Sequence, residues 1–206
     1  PDRDSPIRRG RRAVARRVLL TVGGGEDGMA IVETYLAMLR LHRRDVDWTT
    51  TILPGPLLAE DQMTAIQQHC TGLPVRVHQF VADITPLVRK ADLVVSMGGY
   101  NAVSEILGNG RRALIIPRAE PRLEQHIRAE RLAEMGLIGI LPMAALSPDR
   151  LFASVATILE NSSQPLVRAR IDRRLPLNGT AVLSEFMEEI IGKRWGVTRA
   201  EAGDEK

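Results

Sequence analysis

The stretch Ala91-Asp-Leu-Val-Val-Ser-Met-Gly-Gly-Tyr-Asn-Ala-Val-Ser-Glu-Ile-Leu107 joins a short apolar run to a glycine pair and a helical pattern. Residues 93–96 predict a buried strand, and a helix is expected to begin near Asn101. Gly98 and Gly99 allow the backbone to turn sharply, and the first N–H groups of a helix have no partners within it. Because the positive end of the helix dipole lies at the same place, this stretch predicts a phosphate-binding site.

The acidic residue Glu105 lies one helical turn after Asn101, on the same face of the predicted helix. An ionised carboxylate accepts hydrogen bonds through both oxygens, so it suits two adjacent hydroxyl groups such as those of a ribose. A carboxylate directly behind a phosphate-binding turn therefore indicates half of a pocket for a nucleoside diphosphate, with Glu105 at the ribose.

A second strand, glycine loop and helix occurs near the start of the chain. Residues 17–22 form a continuous β-branched and leucine run, followed by Gly23-Gly-Gly-Glu-Asp-Gly28. Gly23, Gly24 and Gly25 therefore make a second candidate phosphate loop. Because the carboxylates of this loop would repel a diphosphate, we interpret Asp27 as the N-cap of the following helix.

Strands and helices alternate along the chain. Predicted strands lie at residues 17–22, 48–53, 75–77, 93–96, 112–116 and 137–141. This alternation predicts an α/β fold, a doubly wound, Rossmann-like parallel sheet of about six strands. In the helix predicted at residues 122–135, helical spacing predicts that Leu123, Ile127, Leu132 and Met135 form the buried side.

The loop after the fifth predicted strand is the most polar one. Glu124 and Gln125 fall in the first turn of the next helix, and a carboxylate beside an amide suits several sugar hydroxyls. The alternative is that Glu124 only stabilises the helix dipole. Because parallel strands end at one edge of the sheet, the loops at residues 23–28, 80–83, 98–101 and 118–125 are expected to meet there.

The positive charge of the chain is concentrated at its beginning. Seven arginines against two aspartates give residues 1–17 a charge of +5, and since the whole chain carries +3, the remaining residues carry −2. A slightly acidic body argues against a nucleic-acid partner. We interpret the basic segment as a solvated linker, with contact to anionic lipid headgroups or a neighbouring domain as the alternative.

Other composition features bear on metal sites and cell compartment. The single Cys70 cannot form an internal disulfide, which fits a reducing cytoplasm. Four histidines without paired carboxylates or cysteines at ligand spacing predict no metal site. Since the sequence shows no signal peptide and no apolar run of bilayer length, we expect a cytoplasmic protein.

The chain resembles the carboxyl-terminal domain of GT-B glycosyltransferases, within them the family 28 group that includes the N-acetylglucosaminyltransferase acting on the lipid-linked peptidoglycan precursor. The resemblance covers about residues 18–159. Its most specific part is a series of residues in order: Phe80, Ala91-Asp92, Gly98-Gly99, Ser104-Glu105, Pro117 and Glu124-Gln125.

The resemblance implies an enzyme that transfers a hexosyl group, with inversion, from a nucleoside-diphosphate sugar to an acceptor hydroxyl. UDP is the family default and dTDP stays open; no cofactor and no metal are expected. The family's acceptor domain precedes this one in the same polypeptide and supplies the general base. We therefore expect this chain to bind nucleotide without turnover, and contact with the membrane surface stays open.

The resemblance also assigns roles to individual residues. The backbone near Phe80 and Val81 would meet the base, and Glu105 the ribose. The diphosphate would lie at the turn and helix start, with the first glycine loop beside it: Gly23, Gly24, Gly25, Gly98, Gly99, Asn101 and Ser104. The donor-sugar side would carry Arg118, Glu124 and Gln125. Glu124 stands where the family often has a glutamine.

We divide the chain into a basic linker at residues 1–16, a nucleotide-sugar-binding domain at 17–160, and a terminal segment at 161–206. The last comprises an arginine- and proline-rich connector to residue 177, an amphipathic helix ending at 191 and a disordered tail. That helix packs either outside the domain or at the edge of its sheet. Because the chain begins at Pro1, we expect a fragment or a processed product.

Two other functions remain as alternatives: a nucleotide-sugar epimerase or hydrolase of the same build, and a non-catalytic nucleotide-binding domain.

Overall fold

A computed structural model describes residues 15–23, 28–56, 58–118, 123–161 and 164–174. Its strands are β1 (Arg16–Thr21), β2 (Trp48–Leu53), β3 (Val75–Val77), β4 (Leu93–Ser96), β5 (Ala113–Ile115) and β6 (Gly139–Ile140). They form one six-stranded sheet in the order β3-β2-β1-β4-β5-β6, and every neighbouring pair is parallel. The predicted doubly wound α/β fold is confirmed.

Helices cover both faces of this sheet. They are α1 (Gly28–Leu41), α2 (Glu60–His69), α3 (Thr85–Lys90), α4 (Tyr100–Gly108), α5 (Leu123–Glu134), α6 (Pro148–Asn161) and α7 (Gln164–Arg174). One core packs α1, α2 and α6 against the sheet around Tyr35 and Ile66. The other lies beneath α3, α4, α5 and α7 and contains Ile106 and Leu132. In the described residues, no helix combines the length and apolar character needed to cross a membrane.

The register of the central strands sets where the loops begin. Thr21, the last residue of β1, pairs with Leu53 of β2 and with Ser96 of β4, and Ser96 pairs with Ile115 of β5. The four strands therefore end level with one another. After β1 the chain continues to β2 on one side, whereas after the neighbouring strand β4 it continues to β5 on the other side. A crevice is expected between two adjacent strands whose connections lead in opposite directions.

The terminal connector differs from the prediction, because residues 164–174 of it form helix α7. Ile171 is fully buried against the α4 and α5 side of the sheet. Three arginines donate to carbonyls at the ends of α4 and α5: Arg168 to Gly108 at 2.8 Å, Arg170 to Gly136 at 2.7 Å and Arg174 to Met135 at 2.7 Å. Cations at helix carboxyl ends are favourable, which explains why an arginine-rich segment docks here.

The buried side of α5 differs in part from the prediction: Leu132 is buried as predicted, but Leu123 and Ile127 are not. Leu123 and Ile127 are 64% and 53% exposed, whereas Ala129 and Leu132 are 2% and 7% exposed. The helix is rotated so that the line Gln125, Ala129 and Leu132 faces inward, at the 4 and 3 spacing of one helical face. Gln125 is thereby partly buried. The predicted Asp27 cap, the helix to residue 191 and the tail lie outside the described residues.

Candidate nucleotide-binding site

The turn between β4 and α4 has the expected conformation. Gly98 has a φ of 79°, Gly99 is the N-cap of α4, and the helix begins at Tyr100, one residue before the predicted start. A Cβ atom on Gly98 would lie 2.6 Å from Ile115 Cγ2, so no larger residue fits. The turn therefore directs the first N–H groups of α4 toward the carboxyl edge of the sheet.

A cavity of about 320 Å³ opens beside this turn, and we call it the central cavity. Its lining comes from the ends of β1, β4 and β5 and from the first turns of α4 and α5: Thr21, Val22, Gly23, Ser96, Met97, Gly99, Ala102, Arg118 and Gln125. The structure thus brings together four of the residues singled out in the sequence, on three separate loops. Gly24 and Gly25 lie outside the described residues.

A second cavity of about 300 Å³, the edge cavity, adjoins the first across the end of β1. The two cavities share Thr21 and Gly23. The edge cavity is further lined by Leu53, Gly55, Pro56, Gln79, Phe80, Val81 and Ile84. The side chain of Phe80 is 68% exposed, so its ring is available to stack on the flat face of a ligand.

Glu105 is half-buried on α4 and is held by the neighbouring helix. The hydroxyl of Thr85 donates a hydrogen bond to Glu105 Oε1. The backbone N–H of Thr85 in turn donates to Asp83 Oδ1 at 2.8 Å, and the nearby Thr85 hydroxyl and N–H lower the pKa of the Asp83 carboxyl. These bonds connect Glu105 to the loop that carries Phe80 and Val81.

Gln125 and Glu124 are neighbours in sequence but differ in environment. Gln125 Oε1 is buried, has no hydrogen-bond partner among the described residues, and belongs to a residue that lines the central cavity. A buried amide oxygen without a partner is costly, so a ligand donor in the cavity would be favourable here. Glu124 is exposed and is not part of that lining.

Asn101, Ser104 and Glu105 all lie on the side of α4 that faces away from the core. Asn101 and Ser104 are exposed, while Val103 and Ile106 between and beside them are buried. The 3 and 4 residue spacing therefore gives the three polar residues a common face. Their roles toward a ligand stay predictions.

Arg128 was missed in the sequence, although it contacts the glycine turn directly. Its Nη1 donates to the carbonyl of Gly98 at 3.3 Å, and its guanidinium lies 5.4 Å from the centre of the Tyr100 ring. Arg128 follows Gln125 by three residues, so helical spacing from Gln125 was the signal that could have found it. Thr85 was missed as well, because its partner Glu105 lies 20 residues away.

No group of three or more histidine, cysteine, aspartate or glutamate side chains in the described part of the chain is arranged to hold a metal ion. The charged and polar groups around the cavities are instead the Arg118 and Arg128 guanidiniums and the Gln125 amide, together with the amino end of α4. Such groups bind anions and hydroxyls rather than cations.

Residues 18–178 of the chain match the glycosyltransferase family 28 C-terminal domain. The chain belongs to this family. The match begins at the third residue of β1 and covers every later strand of the described sheet. It also covers the lining of both cavities. The family and the transferase names of the relatives do not favour the epimerase or hydrolase alternative.

Curated relatives of this family 28 domain are transferases of greater length. The protein of Exiguobacterium sibiricum, named UDP-N-acetylglucosamine--N-acetylmuramyl-(pentapeptide) pyrophosphoryl-undecaprenol N-acetylglucosamine transferase, is 23% identical over 177 residues, which cover 84% of this chain and 47% of that protein. The protein of the same name from Mesorhizobium japonicum is 33% identical over 93 residues, covering 44% and 24%. The chain spans about half the length of the first of these relatives.

Solved structures show the same fold. MurG of Acinetobacter baumannii is similar with a TM-score of 0.66 and 20% identity, over 86% of this chain and 51% of that one. The calicheamicin glycosyltransferase CalG4 gives a TM-score of 0.67 and 21% identity, over 89% and 44%. The family 28 domain therefore has the architecture of one half of a GT-B glycosyltransferase.

Proposed function

We propose that this chain is the donor-binding domain of an inverting glycosyltransferase, which transfers a hexosyl group from a nucleoside-diphosphate sugar to an acceptor hydroxyl. The observation that carries the proposal is the pair of adjoining cavities at the ends of β1 and β4, one beside the Gly98 turn and the other beside Phe80. Such a pair suits the diphosphate and the base of one ligand.

The parts of the donor are assigned by the chemistry of each lining. The diphosphate lies in the central cavity at Gly99, where the amino end of α4 favours negative charge. The ribose hydroxyls donate to Glu105, and the base lies in the edge cavity against Phe80 and Val81. The donor sugar meets Gln125 and Arg118, with Glu124 at the exposed margin.

The donor is proposed to be a UDP-sugar. The relatives from Exiguobacterium sibiricum and Mesorhizobium japonicum are named for UDP-N-acetylglucosamine. A carboxylate that receives both ribose hydroxyls also favours a ribonucleotide over dTDP, which lacks the 2′-hydroxyl. Nothing in the assignment requires a metal or a cofactor.

The reaction is a displacement at the anomeric carbon. The oxygen of the acceptor hydroxyl forms a bond to this carbon, the bond from the carbon to the diphosphate oxygen breaks, and the acceptor proton passes to a general base. The amino end of α4 and the Arg118 guanidinium stabilise the negative charge on the leaving nucleoside diphosphate. The base comes from an acceptor domain that precedes this one in the polypeptide, so the chain alone binds donor without turnover.

The partners follow from the same assignment. The relatives' printed name includes a pyrophosphoryl-undecaprenol acceptor, which is a lipid. We therefore include a cytoplasmic location, with peripheral contact to the membrane surface, in the proposal. Nucleic acid is not a partner, because the chain after residue 17 carries a charge of −2.

Isothermal titration calorimetry of this chain against UDP, dTDP, ADP, GDP and their sugars tests the proposal. The expected result is one-site binding of UDP and a UDP-sugar, with weaker binding of the deoxyribonucleotide. Absence of binding by every nucleotide, or equal binding of all of them, would overturn it. A full-length protein that releases free sugar or an epimer without any acceptor would contradict the transferase assignment.

A further inference from the structure

Helices α3 and α4 are joined by two side-chain hydrogen bonds that lie one helical turn apart. At the edge nearer the cavities, the Thr85 hydroxyl donates to Glu105 Oε1. Four residues further along each helix, Arg89 Nε donates to Asn109 Oδ1 at 2.9 Å. The two bonds hold the same pair of helices, but only the first one involves a residue that the proposed function assigns to the ligand.

We infer that Thr85 is a positioning residue that fixes the Glu105 carboxylate for the ribose and thereby sets the preference for a ribonucleotide. The inference rests on the proposed function, in which Glu105 receives the ribose hydroxyls. A threonine hydroxyl has a single proton to donate, so it occupies one acceptor site of Oε1 and leaves the other sites of the carboxylate for the two ribose hydroxyls. With Oε1 held by Thr85, the Glu105 carboxylate presents its remaining acceptor sites to the ligand in one orientation instead of several.

Thr85 is itself well fixed, which a positioning residue requires. Its N–H donates to Asp83 Oδ1, and Pro86 follows it in the first turn of α3. Its β-branched side chain has few rotamers, so the hydroxyl stays directed at Glu105. The Thr85 side chain is partly buried, and a hydrogen bond to a charged acceptor is stronger away from water.

The same bond connects two parts of the proposed ligand site. Thr85 follows the loop of Phe80, Val81 and Ile84, which lines the edge cavity, whereas Glu105 belongs to the helix that begins at the central cavity. The spacing between the base site and the ribose site is therefore fixed by a direct contact. A nucleotide without the 2′-hydroxyl would keep the base contacts but lose one of the two hydrogen bonds to the Glu105 carboxylate.

The experiment measures the affinity of the full chain for UDP and for 2′-deoxy-UDP by calorimetry. Thr85→Val keeps the shape of the side chain and removes the hydroxyl. We expect it to weaken UDP binding about tenfold and 2′-deoxy-UDP binding about twofold, so that the ratio of the two affinities falls about fivefold. Thr85→Ser keeps the hydroxyl and is expected to restore the ratio to within about twofold of the wild type.

Arg89→Gln provides the matched control, because it weakens the other bond between α3 and α4 and removes no contact of the Glu105 carboxylate. It is expected to leave the ratio unchanged. The inference is overturned if Thr85→Val weakens both nucleotides equally, if it tightens UDP binding by freeing Glu105, or if Arg89→Gln lowers the ratio as much. Thr85→Ala tests the same claim should Thr85→Val fail to fold.

Glu105→Gln separates this inference from the proposed function. If the wild type binds no UDP, or if Glu105→Gln leaves the affinity ratio unchanged, the proposed ribose site is wrong. If Glu105→Gln lowers the ratio but Thr85→Val does not, the site stands and only the role of Thr85 is wrong.

Discussion

Gly98 and Ile115 pack so closely that a Cβ atom on Gly98 would lie 2.6 Å from Ile115 Cγ2. Ile115 is fully buried in β5, where close packing leaves it little space to shift. Since Gly98 also has a φ of 79°, both its conformation and its surroundings require glycine. The turn before α4 is therefore fixed by the neighbouring strand, which makes the amino end of α4 a rigid part of the proposed phosphate site.

Gly98→Ala is expected to destabilise the protein by about 2 kcal/mol, because it adds a strained backbone and a steric overlap. Urea unfolding measures this change. Gly108→Ala on the same helix is the control: a Cβ there would meet no atom within 4 Å, and the expected change is small or slightly stabilising. Equal stability of Gly98→Ala and the wild type would show that Gly98 does not pack as closely against Ile115 as described.

Glu105→Gln is expected to weaken UDP binding at least about tenfold, because hydrogen bonds to a charged acceptor are stronger than those to a neutral amide. Glu124→Gln is its counterpart at an exposed position, and there we expect a change of about threefold or less in affinity for UDP. Calorimetry with UDP compares the two. If Glu105→Gln binds UDP as tightly as the wild type, the ribose site is not at Glu105.

Arg128→Gln is expected to lower the affinity for UDP by about three- to tenfold, because it removes the donor to the Gly98 carbonyl and the cation over Tyr100. Arg131, one turn further along α5, forms an exposed ion pair with Glu134 and provides the control. Arg131→Gln should leave UDP affinity unchanged. Equal effects of the two variants would mean that the loss of any one arginine of α5 lowers the affinity, without a specific role for the contact between Arg128 and Gly98.

Ile171→Ala is expected to cost about 2–4 kcal/mol of unfolding free energy, since Ile171 is fully buried where α7 meets α4 and α5. The affinity for UDP should not change, because α7 contacts Gly108, Met135 and Gly136, at the helix ends opposite to the cavities. Leu41→Ala, at an exposed leucine, should cost about 0.5 kcal/mol or less. An Ile171→Ala variant as stable as the wild type would show that the packing of α7 against α4 and α5 does not stabilise the protein.

The sheet could be predicted from the sequence because its strands are short runs of apolar and β-branched residues. The strands at residues 48–53, 75–77 and 93–96 have the predicted bounds. The orientation of α5 could not be predicted, since helical spacing allows more than one face and the sheet selects Ala129 over Leu123. Helix α7 was missed because its docking depends on one isoleucine and on carbonyls that are distant in sequence.

In the candidate site, too, some features have a local sequence signal and others depend on residues distant in sequence. Gly98 and Gly99 give a local signal, because their conformation follows from the strand before them and the helix after them. Thr85 gives no local signal, because its contact with Glu105 spans 20 residues. Arg128 gives only its helical spacing from Gln125, because its contact with Gly98 spans 30 residues. These contacts depend on how α3, α4 and α5 pack, which the sequence pattern does not determine.

A crystal structure of this chain with bound UDP is the direct test of the proposed donor site. We expect the diphosphate in the central cavity at Gly99, the ribose hydroxyls donating to Glu105, and the uracil against Phe80 in the edge cavity. A diphosphate bound away from the ends of β1 and β4, with Glu105 beyond hydrogen-bond distance of the ribose, would contradict it.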